Sequence, residues 1–171
     1  GTVHRSGSIG YLPQDTRSGD LDQRARERVL SARDLDGIRR RLKRAEIEMG
    51  SEHEGKRIRA MDRYARLDAE FTALGGWAAD AEAAKITANL GLPTTILDQP
   101  LGTLSGGQRR RVELARILFS GADTLLLDEP TNHLDADSIT WLRDFLAAYS
   151  GGFVIISHDV DLLRASINKV Y

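Results

Sequence analysis

Apolar positions change their spacing several times along this chain, and each change marks an element. Ser8-Ile9-Gly10-Tyr11-Leu12-Pro13 is a short apolar stretch ended by proline, which predicts a strand running into a loop at Gln14-Asp15. From about residue 21 to residue 74 the text turns helical and highly charged. Leu35, Ile38, Leu42, Ala45 and Met49 recur at spacings of three and four, as do Ile58, Met61 and Ala65, and Tyr64, Leu67, Phe71 and Leu74. Two helices joined around residues 50–55 are expected, antiparallel because their connection is short. Gly75-Gly76 ends that unit. Residues 78–90 predict a further helix closed by Gly91, with Pro93 soon after.

Beyond a connector at 94–103 the pattern changes again. Residues 109–120 read as a helix opened by a glycine pair, and 124–127 as a buried strand. Residues 138–149 read as an amphipathic helix with Ile139, Leu142, Phe145, Leu146 and Tyr149 on one side. Gly151-Gly152 breaks it, and 153–156 is the next buried strand. A short helix over 161–165 and a strand beginning at Lys169-Val170-Tyr171 complete the series. Strand and helix alternating from residue 102 onward predict a parallel sheet with helical crossovers.

Composition adds only bounds. With 171 residues, 41% hydrophobic and 29% charged, the chain has the content of a soluble globular protein and enough length for one domain with a fair core. Its longest apolar runs fall far short of the roughly 20 residues a membrane span needs, so no direct insertion into a bilayer is expected. The absence of cysteine removes disulfides and thiolate metal sites and is compatible with a cytoplasmic location. A net charge of −1 gives no overall bias toward nucleic acid, but the distribution of that charge does.

Three places carry chemistry. Ser105, Gly106 and Gly107 precede a helix, so free N–H groups and the positive end of the helix dipole converge where no Cβ blocks close approach; a phosphate fits there, and so does an ordinary capped helix start. The basic trio Arg109, Arg110 and Arg111 that follows reads as a solvated helix face. Leu125-Leu126-Leu127 brings Asp128 and Glu129 to the end of a buried strand, where side chains of an α/β sheet face a ligand crevice. His158 follows the next buried strand, flanked by Ser157 and Asp159.

Taken together, Leu104-Ser105-Gly106-Gly107-Gln108, Leu125-Leu126-Leu127-Asp128-Glu129-Pro130, Thr131-Asn132-His133-Leu134-Asp135 and Ile156-Ser157-His158-Asp159 resemble, in that order, the cassette of ABC-type ATPases. The wording Asp-Glu-Pro-Thr-Asn-His-Leu-Asp is similar to the ABC-F branch, soluble tandem ATPases of the ribosome. The resemblance is strong over residues 8–15 and 102–171.

It implies an α/β fold: a partial P-loop NTPase of ABC type, a parallel-sheet core with an inserted α-helical subdomain and a helical-hairpin arm. Residues 1–15 would supply the core strand and glutamine loop. Residues 16–103 would form the helical subdomain, with its arm at about 21–74, and residues 104–171 the signature helix and catalytic core. By this resemblance Leu104 to Gln108 form the signature that contacts a nucleotide held by the opposite domain. Asp128 holds Mg2+, Glu129 is the general base for the attacking water, His158 contacts the γ-phosphate, and Gln14 reaches magnesium and water. Asn132, His133, Leu134 and Asp135 cross the interface between the two domains, and Asp135 also reads as a cap for the helix beginning near Ser138. ATP and Mg2+ are the implied substrate and cofactor, and a second cassette of the same parent chain the implied partner.

A phosphate loop of the form G-x-x-x-x-G-K-[ST] is missing from the sequence. Gly50-Ser51-Glu52-His53-Glu54-Gly55-Lys56-Arg57 has the glycines and the lysine but places Arg57 where a hydroxyl belongs, and a charged helical run precedes it instead of an apolar strand. The expectation is a fragment of a longer protein that starts after that motif, binds ATP poorly when isolated and does not hydrolyse it.

The long insertion between Gln14 and Leu104 matches, by position and charge, the arm that ABC-F proteins set against the ribosome. Arg39, Arg40, Arg41, Lys43 and Arg44 lie before its tip, and Lys56, Arg57, Arg59, Arg63 and Arg66 after it. Glu46, Glu48, Glu52, Glu54 and Asp62 are interleaved, so this charge serves internal i,i+4 pairing, contact with RNA phosphates, or both. Three readings stay open: a ribosome-acting ATPase of the translation-factor or antibiotic-protection type, the ATP-binding subunit of a transporter such as a drug exporter, and an interaction module with dispensable catalytic residues.

Overall fold

The structure is a computed structural model that describes residues 7–12 and 20–166. Among these residues the sheet has three parallel strands in the order β1 (Ile9–Leu12), β2 (Thr124–Asp128) and β3 (Gly152–Ile156). Gly10, Leu125 and Phe153 form one row across the sheet and Leu12, Leu127 and Ile155 the next. Because side chains alternate along a strand, these rows share one face, and that face packs into the core. Tyr11, Leu126 and Val154 form a row on the other face.

The strands at 124–127 and 153–156, expected to be buried, are covered on this one side. Val154 is 59% and Ile156 61% exposed, and Ile9 and Tyr11 are exposed as well. A run of consecutive apolar residues suits a strand covered on both faces, and among the described residues the helices supply a layer for one. Asp123 anchors the start of β2 to the start of β1. Its carboxylate accepts the Ser8 N–H at 2.7 Å and the Ser8 hydroxyl at 2.8 Å, which holds it below the usual carboxylate range.

The core centres on α5 (Gly106–Phe119), whose Val112, Leu114, Ala115, Ile117, Leu118 and Phe119 are all buried. Two helices lie against it: α1 (Ala25–Leu30), through buried Ala25, Val29 and Leu30, and α4 (Ala79–Asn89). The sequence pattern does not separate α1 from the arm. A two-turn helix offers too few repeats for its period to stand out. The Glu113 carboxylate of α5 receives Arg28 of α1 at 2.5 Å and Arg116 at 2.9 Å. Residues flanking the helical part are tied together: the Leu101 N–H donates to Gln23 O at 2.9 Å and the Gly102 N–H to Leu21 O at 2.8 Å. As expected, α4 closes at Gly91, which takes φ +70° while the Leu92 N–H bonds back to Thr87 O at 3.2 Å.

The hairpin consists of α2 (Leu35–Met49) and α3 (Glu54–Ala73). They run antiparallel, since Glu48 meets Arg63 at 2.7 Å while Arg41 meets Glu70 at 3.7 Å. The hairpin therefore begins at Leu35 and not near residue 21. Leu35, Ile38, Leu42 and Ala45 of α2 are buried as the pattern predicts. On α3 the buried line is Ala60, Leu67 and Phe71 with half-buried Tyr64 between them. Ile58, Met61, Ala65 and Leu74, expected in the seam, are exposed.

At the hairpin's root Arg33 donates to Glu82 at 2.6 and 2.8 Å and to Phe119 O at 2.7 Å, with its guanidinium 3.9 Å over the Phe119 ring. Beside it, burial pushes the Asp80 carboxyl up, but Arg39 and Arg26 outweigh this and hold it below the usual range. The remaining helices are α6 (Ala136–Ala147), which forms the crossover from β2 to β3, and α7 (Val160–Ser166). Among the described residues no helix is long and apolar enough to cross a membrane.

Candidate active site at the carboxyl end of the sheet

Both strand ends that carry candidate chemistry lie at one edge of the sheet, because β2 and β3 are neighbours in register: Asp128 pairs with Ile156. The next residue along β2, Glu129, turns sharply, with φ +46°. This left-handed backbone is disfavoured for a glutamate by about 1–3 kcal/mol and persists only when its surroundings hold it. Three bonds do so. The Glu129 N–H donates to Ile156 O at 2.8 Å, and its carbonyl accepts from the Asn132 N–H at 3.3 Å and from Arg110 Nη2 at 3.1 Å. The same Arg110 nitrogen reaches Asp128 O at 2.6 Å.

The turn aims the Glu129 carboxylate at the end of β3. Its Oε1 stands 3.2 Å from His158 Nε2, and its Oε2 is 3.4 Å from the His158 backbone N–H. The Glu129 side chain is 13% exposed and that of His158 99%, so the carboxylate is sheltered while the imidazole is open to a ligand. Asp159, beside it, caps α7 by accepting the Leu162 N–H at 2.9 Å. The sequence reading placed each at the end of its own strand, and the structure brings them into contact.

Ser105 opens α5 with a reciprocal cap. Its hydroxyl oxygen accepts the Gln108 N–H at 3.2 Å, and the Gln108 side chain accepts the Ser105 N–H at 2.9 Å. Thus the glycine pair lies within the first turn of α5 rather than ahead of it. The capped start does not use up the anion site, because the Gly106 and Gly107 N–H groups have no acceptor among the described residues. A Cβ at Gly106 would meet open space, and one at Gly107 would touch the His133 side chain at 3.4 Å. Leu104, just before them, is buried in the core.

The loop 131–135 is held between these two features. His133 takes φ +69°, and Leu134 packs against the core from a half-buried position. Asp135 is the N-cap of α6, accepting the Ser138 N–H at 2.8 Å. That bond, the Ser138 hydroxyl and the Arg111 charge hold the Asp135 carboxyl below its usual range. Asn132 and Asp135 are exposed.

The arginine trio departs from expectation. Arg110 is buried, and half-buried Arg111 donates to Gly91 O at 3.0 Å and Leu90 O at 3.3 Å, closing the end of α4. A helix-face reading misses these two because their partners are backbone carbonyls from distant segments. The one available signal is spacing: Leu114 and Ile117 follow Arg110, and Ala115 and Leu118 follow Arg111, at intervals of four and seven, which puts both arginines in line with the apolar face.

Gln14 lies outside the described residues, as do Pro13, Asp15 and the expected strand at 169–171. The basic residues of the hairpin stand apart from this site. Arg39 pairs with Asp80 at 2.6 Å, Arg41 with Glu70, Arg44 with Glu48 at 3.3 Å and Arg66 with Asp62. Arg40, Lys43, Lys56, Arg57 and Arg59 have no ion-pair partner among the described residues.

The donor set suits Mg2+. Asp128 presents a hard oxygen ligand at the strand end and makes no side-chain bond within the described residues. Among them no group of three His, Cys, Asp or Glu side chains converges as a protein cage. Mg2+ is commonly held by one or two carboxylates together with nucleotide phosphates and water.

A parallel sheet ending in paired carboxylates, beside a glycine-opened helix start, defines a nucleotide-handling domain of the α/β class. Residues 2–132 match the family described as ABC transporter, and the chain belongs to that family as an ABC-type ATP-binding domain. It is 36% identical over 99% of its length to the tylosin resistance ATP-binding protein TlrC of Streptomyces fradiae, covering 32% of that protein. With the probable ATP-binding protein YheS of Escherichia coli K12 it shares 34% identity over 99% of its length, covering 25% of that protein. It is also 44% identical, over 58% of its length, to the energy-dependent translational throttle protein EttA of Mycobacterium tuberculosis, covering 17% of that protein. These relatives are of the ABC-F type, and the chain spans about a third or less of each.

Among solved structures it is similar to an archaeal ribosome recycling factor, seen in complex with a ribosomal stalk protein, with TM-score 0.59 and 19% identity over 97% of the chain and 25% of that protein. It is also similar to a dimeric bacterial ABC transporter cassette, with TM-score 0.51 and 18% identity over 93% of the chain and 56% of that one. At these identities the likeness concerns the fold, and the fold is that of ABC ATPase domains.

Proposed function

We propose that this chain is part of a two-cassette ABC-F ATPase of the cytoplasm that hydrolyses ATP and acts on the ribosome, as a translation factor or an antibiotic-protection protein. The observation that carries the ATPase reading is the sheltered Glu129 carboxylate 3.2 Å from the open His158 imidazole, at the end of the strand that presents Asp128. Water attacks the γ-phosphate in line, Glu129 accepts a proton from it, and His158 steadies the phosphate oxygens. Asp128, with Gln14, would hold Mg2+, which supplies charge neutralisation at the phosphates. The Gly106 and Gly107 N–H groups, with Ser105, engage the nucleotide of the second cassette, and Asn132, His133, Leu134 and Asp135 lie between the two cassettes.

The ribosome reading is supported by the hairpin and by what the relatives' names describe, tylosin resistance and translational throttling. In this reading the RNA contacts come from Arg40, Lys43, Lys56, Arg57 and Arg59, which have no ion-pair partner among the described residues, whereas Arg39, Arg41 and Arg44 chiefly brace the hairpin. With no phosphate loop in its sequence, the 171-residue chain alone binds ATP weakly and does not turn it over.

Cosedimentation of the full-length Glu129→Gln protein with ribosomes, with and without ATP over a salt series, tests this. ATP-dependent pelleting is expected. No pelleting in any condition, with ATP turnover intact in the unmodified protein, favours a transporter subunit. Turnover unchanged by Glu129→Gln overturns the ATPase assignment and favours an interaction module.

A further inference from the structure

Arg110 is a buried arginine on the signature helix whose guanidinium reaches two consecutive backbone carbonyls of the catalytic strand end. One nitrogen, Nη2, lies 2.6 Å from Asp128 O and 3.1 Å from Glu129 O. Those carbonyls flank the residue that adopts φ +46°. A positive φ at a glutamate has no support from its own side chain, so tertiary bonds must hold it. The Glu129 N–H is fixed by β3 through Ile156 O, and on the carbonyl side Arg110 supplies the charge-assisted bond, the Asn132 N–H being the second donor.

We propose that Arg110 is a positioning residue for Glu129. By clamping both carbonyls it sets the backbone turn that aims the Glu129 carboxylate at His158. It also links two halves of the chemistry. Arg110 lies five residues, somewhat under one and a half turns, after Ser105 on a continuous helix, and Gly106 and Gly107 form the first turn of that helix. A displacement of the α5 start by a bound phosphate is carried by a rigid helix directly to the Asp128 and Glu129 carbonyls. A lysine at 110 keeps the positive charge but carries it on a more flexible stem, so its hold on the two carbonyls is less pre-organised. This proposal rests on the ATPase reading given above.

The test is a double-mutant cycle on ATP turnover by the full-length protein, comparing unmodified protein with Arg110→Met, Arg110→Lys, Glu129→Gln and both Arg110 variants combined with Glu129→Gln. Arg110→Met is expected to lower kcat by about 10- to 100-fold, the scale of a misplaced catalytic group, with the KM for ATP changed less than about threefold. Arg110→Lys falls between it and the unmodified protein. In the Glu129→Gln background the same Arg110 changes alter the residual single-turnover rate less than about twofold, because a group that acts through Glu129 has nothing left to position.

Equal losses in both backgrounds, or a raised KM with kcat intact, overturn the proposal. If Arg110→Met does not fold, the Arg110→Lys cycle decides alone. Failure of the ATPase reading has its own signature: turnover insensitive to Glu129→Gln. Turnover abolished by Glu129→Gln but untouched by Arg110 variants rejects the clamp alone.

Discussion

His158 Nε2 and Glu129 Oε1 stand 3.2 Å apart although they belong to different strand ends, and the contact exists because β2 and β3 pair with Asp128 opposite Ile156. The glutamate is nearly enclosed and the histidine nearly free. The pair therefore divides into a held carboxylate and an accessible imidazole, which in the proposed mechanism serve as base and phosphate ligand.

Glu129→Gln keeps the side-chain shape and removes the proposed base. Turnover of ATP by the full-length protein is expected to fall about 10²- to 10⁴-fold while nucleotide binding is retained. Phosphate release and equilibrium nucleotide binding, measured on the same preparation, check both halves of that statement.

Glu113 is buried between Arg28 at 2.5 Å and Arg116 at 2.9 Å and joins α1 to α5. Glu113→Ala leaves two partly buried guanidinium groups without their acceptor and is expected to destabilise the fold by about 1–3 kcal/mol. At this chain length each kcal/mol lowers Tm by roughly 2–4 °C. A thermal scan that shows no shift rejects the role assigned to this ion triad.

Gly91 takes φ +70°, and a Cβ there would lie 3.0 Å from Asp135 Oδ2 and 3.1 Å from Ser138 Oγ. Gly91→Ala is therefore both strained and crowded, and a destabilisation of about 1–3 kcal/mol is expected. Urea unfolding of the variant reads the cost. An unchanged midpoint means that the α4 end and the 131–135 loop are not packed as described.

The Asp135 carboxyl is held below its usual range by the Ser138 N–H, the Ser138 hydroxyl and the Arg111 charge. A carboxylate depressed in the folded state contributes stability above its unfolded value of about 3.9, and loses it as pH falls through the lower folded value. The stability difference between unmodified protein and Asp135→Asn should accordingly be present at pH 6 and shrink below about pH 4. Denaturation midpoints across that range report it. A difference that grows on acidification has the wrong sign.

Lys56, Arg57 and Arg59 carry charges without ion-pair partners among the described residues, unlike Arg39 and Arg44. Under the ribosome reading, Lys56→Glu or Arg57→Glu weakens ribosome binding and reduces the slope of log affinity against log salt by roughly 0.7–0.9 for each phosphate that is no longer neutralised. Arg39→Ala instead lowers stability, through its bond to Asp80 and its position over the Phe71 ring. Identical salt slopes for all three variants count against RNA binding by the hairpin tip.

Much of the fold could be read from local pattern. Short apolar stretches mark the three strands, apolar spacing marks α2 and α6, and glycines mark the start of α5 and the end of α4. The glycine after α4 marks its end because that position needs a positive φ. The errors share one cause. On α3 the apolar set Ile58, Met61 and Ala65 has as regular a spacing as the buried set Ala60, Tyr64, Leu67 and Phe71, and which stripe turns inward is decided by α2. The Arg109 to Arg111 run reads as solvated because a basic run carries no mark of where backbone carbonyls from other segments will fall.

The sequence alone determined the element types, the parallel alternation after residue 102, and the placement of Asp128, Glu129 and His158 at strand ends, because short-range periodicity and strand direction govern all of these. Tertiary structure decided which face of the sheet is covered, which arginines are spent on internal pairs, and that Glu129 meets His158 under the hold of Arg110. Those outcomes depend on distances between residues far apart in the chain, and such distances are set by packing rather than by any local run of side chains.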